Sequence, residues 1–208
     1  MVRTVKKPEE RRTEIVAAAR DLFYEQGYEK TTMRHVMDKL DIAKGTIYHY
    51  FSSKEDLLEA VVNETVDGIR GMLEQFVENA QGSALQILQQ LIAAGSAVEE
   101  AAPILEGLHD PANTGMHTRQ LAETITKLAP IYASVIERGV AEGVFQTQHP
   151  LEAAEMILTA VQFLTDMGIY HWTPEVLMRR ALAFPALIEA QLHAPKGSFD
   201  FLLPQNNQ

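Results

Sequence analysis

The chain has 208 residues, of which 46% are hydrophobic, and this is sufficient for one large domain or two small ones with buried cores. It contains no cysteine, which excludes disulfides, thiol catalysis and cysteine-ligated zinc. Its net charge is −10, and no apolar run approaches the roughly 20 residues that span a bilayer, so we expect a cytoplasmic protein without a membrane partner.

The first predicted helix begins at Pro8, after a basic arm of residues 2–7 that is available for phosphates. Proline suits the first helical turn, because an N–H there would have no intrahelical partner. Gly27 is placed to end the helix. The apolar residues between these limits have the spacing of one buried face: Ile15, Ala19, Leu22 and Phe23.

The sequence pattern of residues 31–54 predicts two short helices joined by a tight turn. Thr31 or Thr32 can cap the first helix, and Asp41 closes it. The second helix is predicted over residues 46–51, opened by a Lys-Gly pair. The residues whose spacing places them on the buried faces are Met33, Val36, Met37, Leu40, Ile47 and Phe51.

The outer surface of the second helix is suited to DNA. It lies beside a helix N-terminus, whose free N–H groups and positive dipole end favour a phosphate. Gly45 lets the backbone approach a partner closely, and a helix of this width fits the major groove. The alternative is an ordinary helical hairpin with a solvated polar face. The residues left for this surface and its flanks are Lys44, Thr46, Tyr48, His49 and Tyr50.

These motifs carry a family resemblance over about the first 60 residues. The run Gly-Thr-Ile-Tyr-His-Tyr-Phe at residues 45–51, with Ser-Lys-Glu-Asp-Leu-Leu at residues 53–58, resembles the DNA-binding segment of the TetR family of transcriptional regulators. The match extends upstream through residues 15–23, 27–28 and 31–32. The resemblance implies DNA contact by Thr32, Arg34, Lys44, Gly45, Thr46, Tyr48, His49, Tyr50 and Lys54.

The charge is divided unevenly along the chain. Residues 1–54 hold 11 Lys and Arg against 8 Asp and Glu, whereas residues 55–208 hold 7 against 20. A basic head on an acidic body orients the encounter with phosphates and keeps the body away from the duplex. The acidic body mildly favours a cationic effector.

A fourth helix is predicted from a capping box formed by Ser52 and Glu55. Its apolar pattern continues for roughly 25 residues, to just before Gly82. This length carries it out of the DNA-binding unit into the body, where it can serve as a lever between the two.

The rest of the chain is helical by pattern. Helices are predicted over residues 83–101, 103–109, 115–142, 150–171 and 174–193. The fold class is therefore all-α, with a helix-turn-helix DNA-binding domain over residues 1–54 and a larger helical effector-binding and dimerisation domain over residues 55–195. The order of the tail, residues 196–208, is left open.

The helix over residues 150–171 is apolar nearly all round, so it should be buried on more than one side. With its successor it is the expected homodimer surface, residues 150–193, which would form a four-helix bundle about a two-fold axis. The alternative is that both helices fill a monomer core.

The resemblance implies an effector pocket between the body helices, although apolar and aromatic side chains of this kind are more often plain core. A divalent metal held by His109, His117 and Asp166 is a second hypothesis, since the two histidines bracket a turn. No cofactor is required. The candidate pocket residues are Leu105, His109, Met116, His117, Tyr132, Phe163, Asp166, Met167 and Tyr170.

The sequence thus predicts a ligand-responsive regulator that binds a palindromic double-stranded operator as a dimer, most plausibly as a repressor. A metal-responsive regulator of the same fold, or a helical adaptor that does not bind DNA, are the alternatives. Glycine-rich phosphate loops, nucleophile elbows and His-Glu metalloprotease motifs are absent from the sequence, so an enzyme is not expected.

Overall fold

The computed structural model describes residues 7–100 and 114–204. Within these ranges the chain forms eight α-helices and no strand, which confirms the all-α prediction. The predicted helix over residues 103–109 lies outside the described residues. None of the helices in these ranges is both long and apolar enough to cross a membrane. The helices are α1 Pro8–Gln26, α2 Met33–Leu40, α3 Lys44–Tyr50, α4 Lys54–Asn79, α5 Ala84–Glu100, α6 Thr114–Ala141, α7 Pro150–Thr165 and α8 Pro174–Leu192.

The first three helices enclose a small core together with the start of α4. Side chains that are almost fully buried meet from all four helices, and burial of this kind is the main stabilising term in a domain of this size. The members that come from α1 to α3 and their connections include Ile15, Ala19, Phe23, Val36, Ile47 and Phe51.

The two threonines before α2 have different roles. Thr32 is the cap, since its hydroxyl accepts a hydrogen bond of 3.2 Å from the backbone N–H of His35. Thr31 is buried, and its hydroxyl donates to the Gly27 carbonyl oxygen at 2.8 Å. Asp41 closes α2 in the left-handed region, with φ of 50°. Thr31 therefore fixes the α1–α2 corner, and Thr32 starts α2.

The predicted cap of α4 was wrong by one residue. Ser53, not Ser52, is the N-cap, and its hydroxyl accepts from the Asp56 N–H at 3.0 Å. The Asp56 carboxylate in turn accepts from the Ser52 N–H at 2.8 Å. Because Asp56 is the acid that reaches back, Glu55 is left exposed and the helix begins at Lys54.

The lever helix α4 belongs to two hydrophobic cores. Leu57, Leu58 and Val62 lie in the head core, whereas Leu73 lies in the body core with α5 and α6. A helix of 26 residues is about 39 Å long, so a tilt at one end displaces the other.

The body core is formed by α4 to α8. The α5 start is tied to the end of α6 by Glu142, whose carboxylate accepts from the Ala84 N–H at 2.8 Å and from Arg138 Nε at 2.9 Å. Gly139 lies against the buried ring of Phe145, so a side chain there would enter the ring.

Helix α7 ends earlier than predicted, at Thr165 instead of residue 171. The Asp166 carboxylate accepts from the backbone N–H groups of Gly168 at 2.8 Å and Ile169 at 2.9 Å, which replaces helical hydrogen bonds by a turn. The apolar pattern of the sequence does not show that the Asp166 side chain competes with the helix for these backbone N–H groups.

The prediction that α7 is buried on several sides does not hold within a single chain. Ala153 and Ala154 face the body core, but the outer sides of α7 and α8 are exposed. Side chains of this size are rarely left in water as a continuous patch. The exposed apolar residues on these helices are Leu151, Met156, Leu164, Met178, Leu182 and Leu187.

The described part of the tail packs onto the body. Phe199 is buried, stacks on Phe145 with ring centroids 6.2 Å apart, and donates its N–H to Glu189 at 3.1 Å. A short 3-10 turn, Asp200–Leu202, follows. The tail thus packs on the body core through Phe199, Phe201 and Leu202.

Candidate functional site

The structure brings five of the nine predicted DNA-contact residues to one groove. This groove of about 730 Å³ lies on the surface between the α1–α2 corner, α2, α3 and the start of α4. Residues on three separate stretches of sequence therefore share one surface, as a helix-turn-helix unit requires. The predicted members are Thr32, Arg34, Lys44, Tyr48 and Lys54.

Lys44 and Tyr48 lie on the exposed side of α3. Lys44 Nζ lies 5.5 Å from the centroid of the Tyr48 ring. This is a cation–π contact between side chains one helical turn apart. Gly45 is exposed beside them, and a Cβ added there would meet nothing within 4 Å. The protein itself therefore sets no steric requirement for glycine at this position, and close approach of DNA to Gly45 stays a prediction.

Contacts within the free protein orient the Lys54 side chain. Its Nζ donates to the Tyr28 carbonyl oxygen at 3.1 Å and lies 3.9 Å from the centroid of the Tyr28 ring. Tyr28 is itself buried and packs edge-on against Phe23. Sequence reasoning placed Tyr28 only in the family match and did not identify it as the platform that orients Lys54.

Thr32 and Arg34 line the opposite wall of the groove. Thr32 is exposed although its hydroxyl caps α2. Arg34 approaches Asp38 only at 3.8 Å, and its side chain is 82% exposed. An ion pair of this length in water contributes little, so Arg34 can exchange Asp38 for a phosphate at low cost.

The other predicted contacts lie beside the groove. His49 is exposed, and its ring is edge-on to Tyr50 with centroids 5.1 Å apart. Tyr50 packs against the head core, and Thr46 is half-buried. Their predicted contacts with DNA stay predictions, and Tyr50 has a packing role that the sequence did not reveal.

In the body, the structure joins two predicted pocket residues. His117 Nε2 on α6 lies 3.1 Å from Asp166 Oδ2 at the end of α7, and both side chains are more than nine-tenths buried. Gln120, one turn further along α6, is also buried, and its Nε2 has no hydrogen-bond partner among the residues that the structure describes. The sequence analysis missed Gln120, although its i, i+3 spacing from His117 was a usable signal.

The remaining pocket candidates are scattered or undescribed. Tyr132 packs against the body core, Phe163 is half-buried on α7, and Met167 is exposed. Leu105, His109 and the side chain of Met116 lie outside the described residues. Among the described side chains no group of three metal-ligating residues converges. The metal site that includes His109 stays a prediction.

A second polar feature of the body was not predicted. Tyr170, named as a pocket candidate, stacks on Trp172 with ring centroids 4.8 Å apart. The guanidinium of Arg180 lies over the Trp172 ring, with its central carbon 3.9 Å from the ring centroid. A lone tryptophan just before a helix start was the available sequence signal.

Two family models match the chain. Residues 15–61 match the model described as bacterial regulatory proteins, tetR family, and residues 97–187 match the model of the tetracyclin repressor-like C-terminal domain. Together they cover the helix-turn-helix head and most of the body, and so both parts of the structure have family counterparts.

Individual proteins that are similar to this chain are also transcriptional regulators. The transcriptional repressor KstR2 of Mycolicibacterium smegmatis is 27% identical over 146 residues, covering 69% of this chain and 71% of the relative. The transcriptional regulator HbdR of Aromatoleum is 41% identical over 59 residues, covering 28% of this chain and 26% of that protein. The solved structure of RolR with resorcinol covers 95% of this chain and 96% of its own, with a TM-score of 0.68 and 16% identity. A Mesorhizobium loti regulator covers 89% and 98%, with a TM-score of 0.63 and 22% identity.

Proposed function

This chain belongs to the TetR family of bacterial transcriptional regulators, and on that premise we propose that it is a homodimeric repressor in the cytoplasm, released from a palindromic operator when an effector occupies its body. It is a ligand-responsive DNA-binding regulator and not an enzyme.

The observation that carries the proposal is the groove of the head. It is lined by three cationic side chains and an exposed tyrosine, together with the carboxylates of Glu29 and Asp38, and the exposed Gly45 follows Lys44 at the N-terminal end of α3. Ala43, the N-cap of α3, has no side-chain acceptor, so no side chain caps the first turn of α3, where the Thr46 N–H donates to the Ala43 carbonyl oxygen at 2.8 Å. These features suit a phosphate backbone and a major-groove edge.

Within this groove we assign different roles to the two lysines. Lys54 is fixed at the start of α4 by Tyr28, which suits contact with a phosphate. Lys44 extends from the first turn of α3, which is the part of a recognition helix that reaches base edges. Phosphate contacts set affinity, whereas base contacts set sequence preference.

The exposed apolar sides of α7 and α8 support a dimer through residues 150–193. Met156 and Leu187 are each 62% exposed in the single chain, and Leu182 is 56% exposed. Pairing these helices about a two-fold axis would bury the patch. It would also present two heads to successive major grooves, about 34–36 Å apart.

A signal from the body can reach the head through α4. Lys127 Nζ on α6 lies 3.2 Å from Asp67 Oδ1 on α4, and Arg20 Nη1 on α1 lies 3.2 Å from Glu64 Oε1 on α4. These exposed ion pairs contribute little stability by themselves. They mark the places where α6 touches the lever and where the lever touches the head.

The metal-responsive regulator is a second candidate, favoured by the buried His117–Asp166 pair. Neutral imidazole and carboxylate oxygen are both ligands for zinc, nickel and manganese. Titration with these metals should then raise the melting temperature or change DNA affinity. If both stay constant in folded protein, the metal candidate is rejected.

The central test is binding to the DNA upstream of the protein's own coding region, by fluorescence anisotropy against a scrambled duplex of equal length. We expect preference for the native duplex, and a dimer by light scattering. A lone subunit that binds both duplexes and heparin equally would refute the proposal and favour the adaptor alternative.

A further inference from the structure

Two hydrogen-bond donors that lack acceptors lie close together, one on the connection from α7 to α8 and one on α8. Trp172 Nε1 and Arg180 Nη1 are withdrawn from solvent, and neither has a hydrogen-bond partner among the described residues. The two side chains are in contact, with the guanidinium carbon 3.9 Å from the Trp172 ring centroid. They therefore form one local site rather than two separate defects.

A buried donor without a partner is costly, and more so when it belongs to a charged group such as the half-buried Arg180. Most buried polar groups in native proteins have partners, and a guanidinium is normally matched by a carboxylate or a phosphate. No ion pair among the described residues involves Arg180. Stacking on Trp172 covers one face of the guanidinium but accepts none of its N–H groups.

We propose that Trp172 and Arg180 form a carboxylate-binding subsite, so that the effector of this regulator is an organic acid with an apolar or aromatic body. The proposal rests on the function proposed above and specifies the chemistry of its ligand. Two adjacent N–H donors, one of them charged, match the two oxygens of a carboxylate. The stacked rings of Tyr170 and Trp172 offer an apolar wall beside it.

The subsite is connected to the helix that touches the lever. Trp172 follows the turn that Asp166 organises, and Asp166 is joined to His117 on α6. On the same face of α6, Gln120 Nε2 is a third donor without a partner in the described part of the chain. Among the described residues four buried side-chain groups lack a partner: the three on α6, on the α7–α8 connection and on α8 are donors, and the fourth is Asn63 Oδ1 on α4, an acceptor. The three donors favour an acceptor-rich ligand in this part of the body, although the body is acidic overall.

The test uses Trp172, the single tryptophan of the chain, as its own fluorescent probe. The full-length protein is titrated with 3-phenylpropanoate and with octanoate, each compared with its uncharged amide. We expect the carboxylates to change the Trp172 emission and the amides to bind at least about tenfold more weakly. Equal responses to acid and amide, or no response to either acid up to about 10 mM, would overturn the assignment.

A matched pair of variants identifies the residue. Arg180→Met keeps the length of the side chain and removes the donors, whereas Arg179→Met makes the same change at an exposed neighbour. Arg180→Met should weaken carboxylate binding by about tenfold or more, and Arg179→Met should not. If the methionine variant does not fold, Arg180→Lys replaces it in the test, because lysine retains a cation. This variant should bind carboxylates more weakly than wild type but still prefer them to amides.

Three competing results can be told apart. If Arg180→Met weakens self-association while carboxylate binding is unchanged, the partner of Arg180 is a second copy of the chain and the proposal fails. If carboxylates bind but no duplex is preferred, the subsite stands and the proposed function fails. If an operator is bound and released by uncharged compounds alone, the function stands and the subsite fails.

Discussion

Replacing Lys54 by methionine isolates the phosphate contact of the head. Methionine keeps an unbranched side chain of similar length, but it loses the ammonium group that lies over the Tyr28 ring and donates to the Tyr28 carbonyl oxygen. Lys54 itself is only half-buried, so the loss of stability should be about 1 kcal/mol or less. Melting monitored by circular dichroism checks that the head remains folded.

The effect on DNA binding can be estimated from counterion release. Each neutralised phosphate contributes about 0.9 to the slope of log affinity against log salt, which at 0.1 M salt is about eightfold in affinity. A dimer places two copies of Lys54 on the operator. We therefore expect binding about 60-fold weaker at 0.1 M salt, with the slope shallower by about 1.8.

The assay is fluorescence anisotropy over a series of salt concentrations, with operator and random duplexes measured in parallel. Lys196→Met is the matched control, because it removes the same charge from an exposed site in the tail segment after α8. It should leave the slope unchanged. A wild-type slope for Lys54→Met, or equal flattening in both variants, would show that net charge rather than a defined phosphate contact governs binding.

Three further results are expected. Lys44→Ala should lower the preference for operator over random duplex by about tenfold with little change in salt slope, and an unchanged preference would contradict base contact. Gly139→Ala should destabilise the body by about 1–3 kcal/mol in urea unfolding, since the new Cβ enters the buried ring of Phe145; no change would mean that the ring moves freely. The hydrogen bonds from the α5 start and from Arg138 lower the pKa of Glu142 below its ordinary value of 4.5, so this group stabilises the fold above pH 4.5 and less as pH falls. Glu142→Gln should be less stable than wild type at pH 7, with a difference that narrows in acid; a constant difference would contradict the linkage.

The head was predictable because its signals are local. The caps, the turn and the apolar spacing of residues 31–54 lie within a few residues of one another, and each independently favours the same structure. The error at Ser52 shows the limit of such signals. Two adjacent serines and two adjacent acids allow two capping arrangements, and the packing of α4 selected the one that starts from Ser53.

The effector site was less predictable because its parts are distant in sequence. His117 and Asp166 were both named as candidates, but their contact depends on how α6 packs against α7. The subsite of Trp172 and Arg180 was missed, because nothing in spacing alone shows that a donor has lost its water without gaining an acceptor. Burial must be known before an orphan group can be recognised.

The sequence by itself determined the all-α class, the helix-turn-helix head and the division between a basic head and an acidic body. Periodicity, caps and charge counts depend on neighbours along the chain, and these are present in the sequence. Tertiary structure alone decided that the tail packs through Phe199 and that the outer sides of α7 and α8 remain exposed in one chain. Each depends on which surfaces meet in space, and that is fixed only when long-range packing competes with local preference.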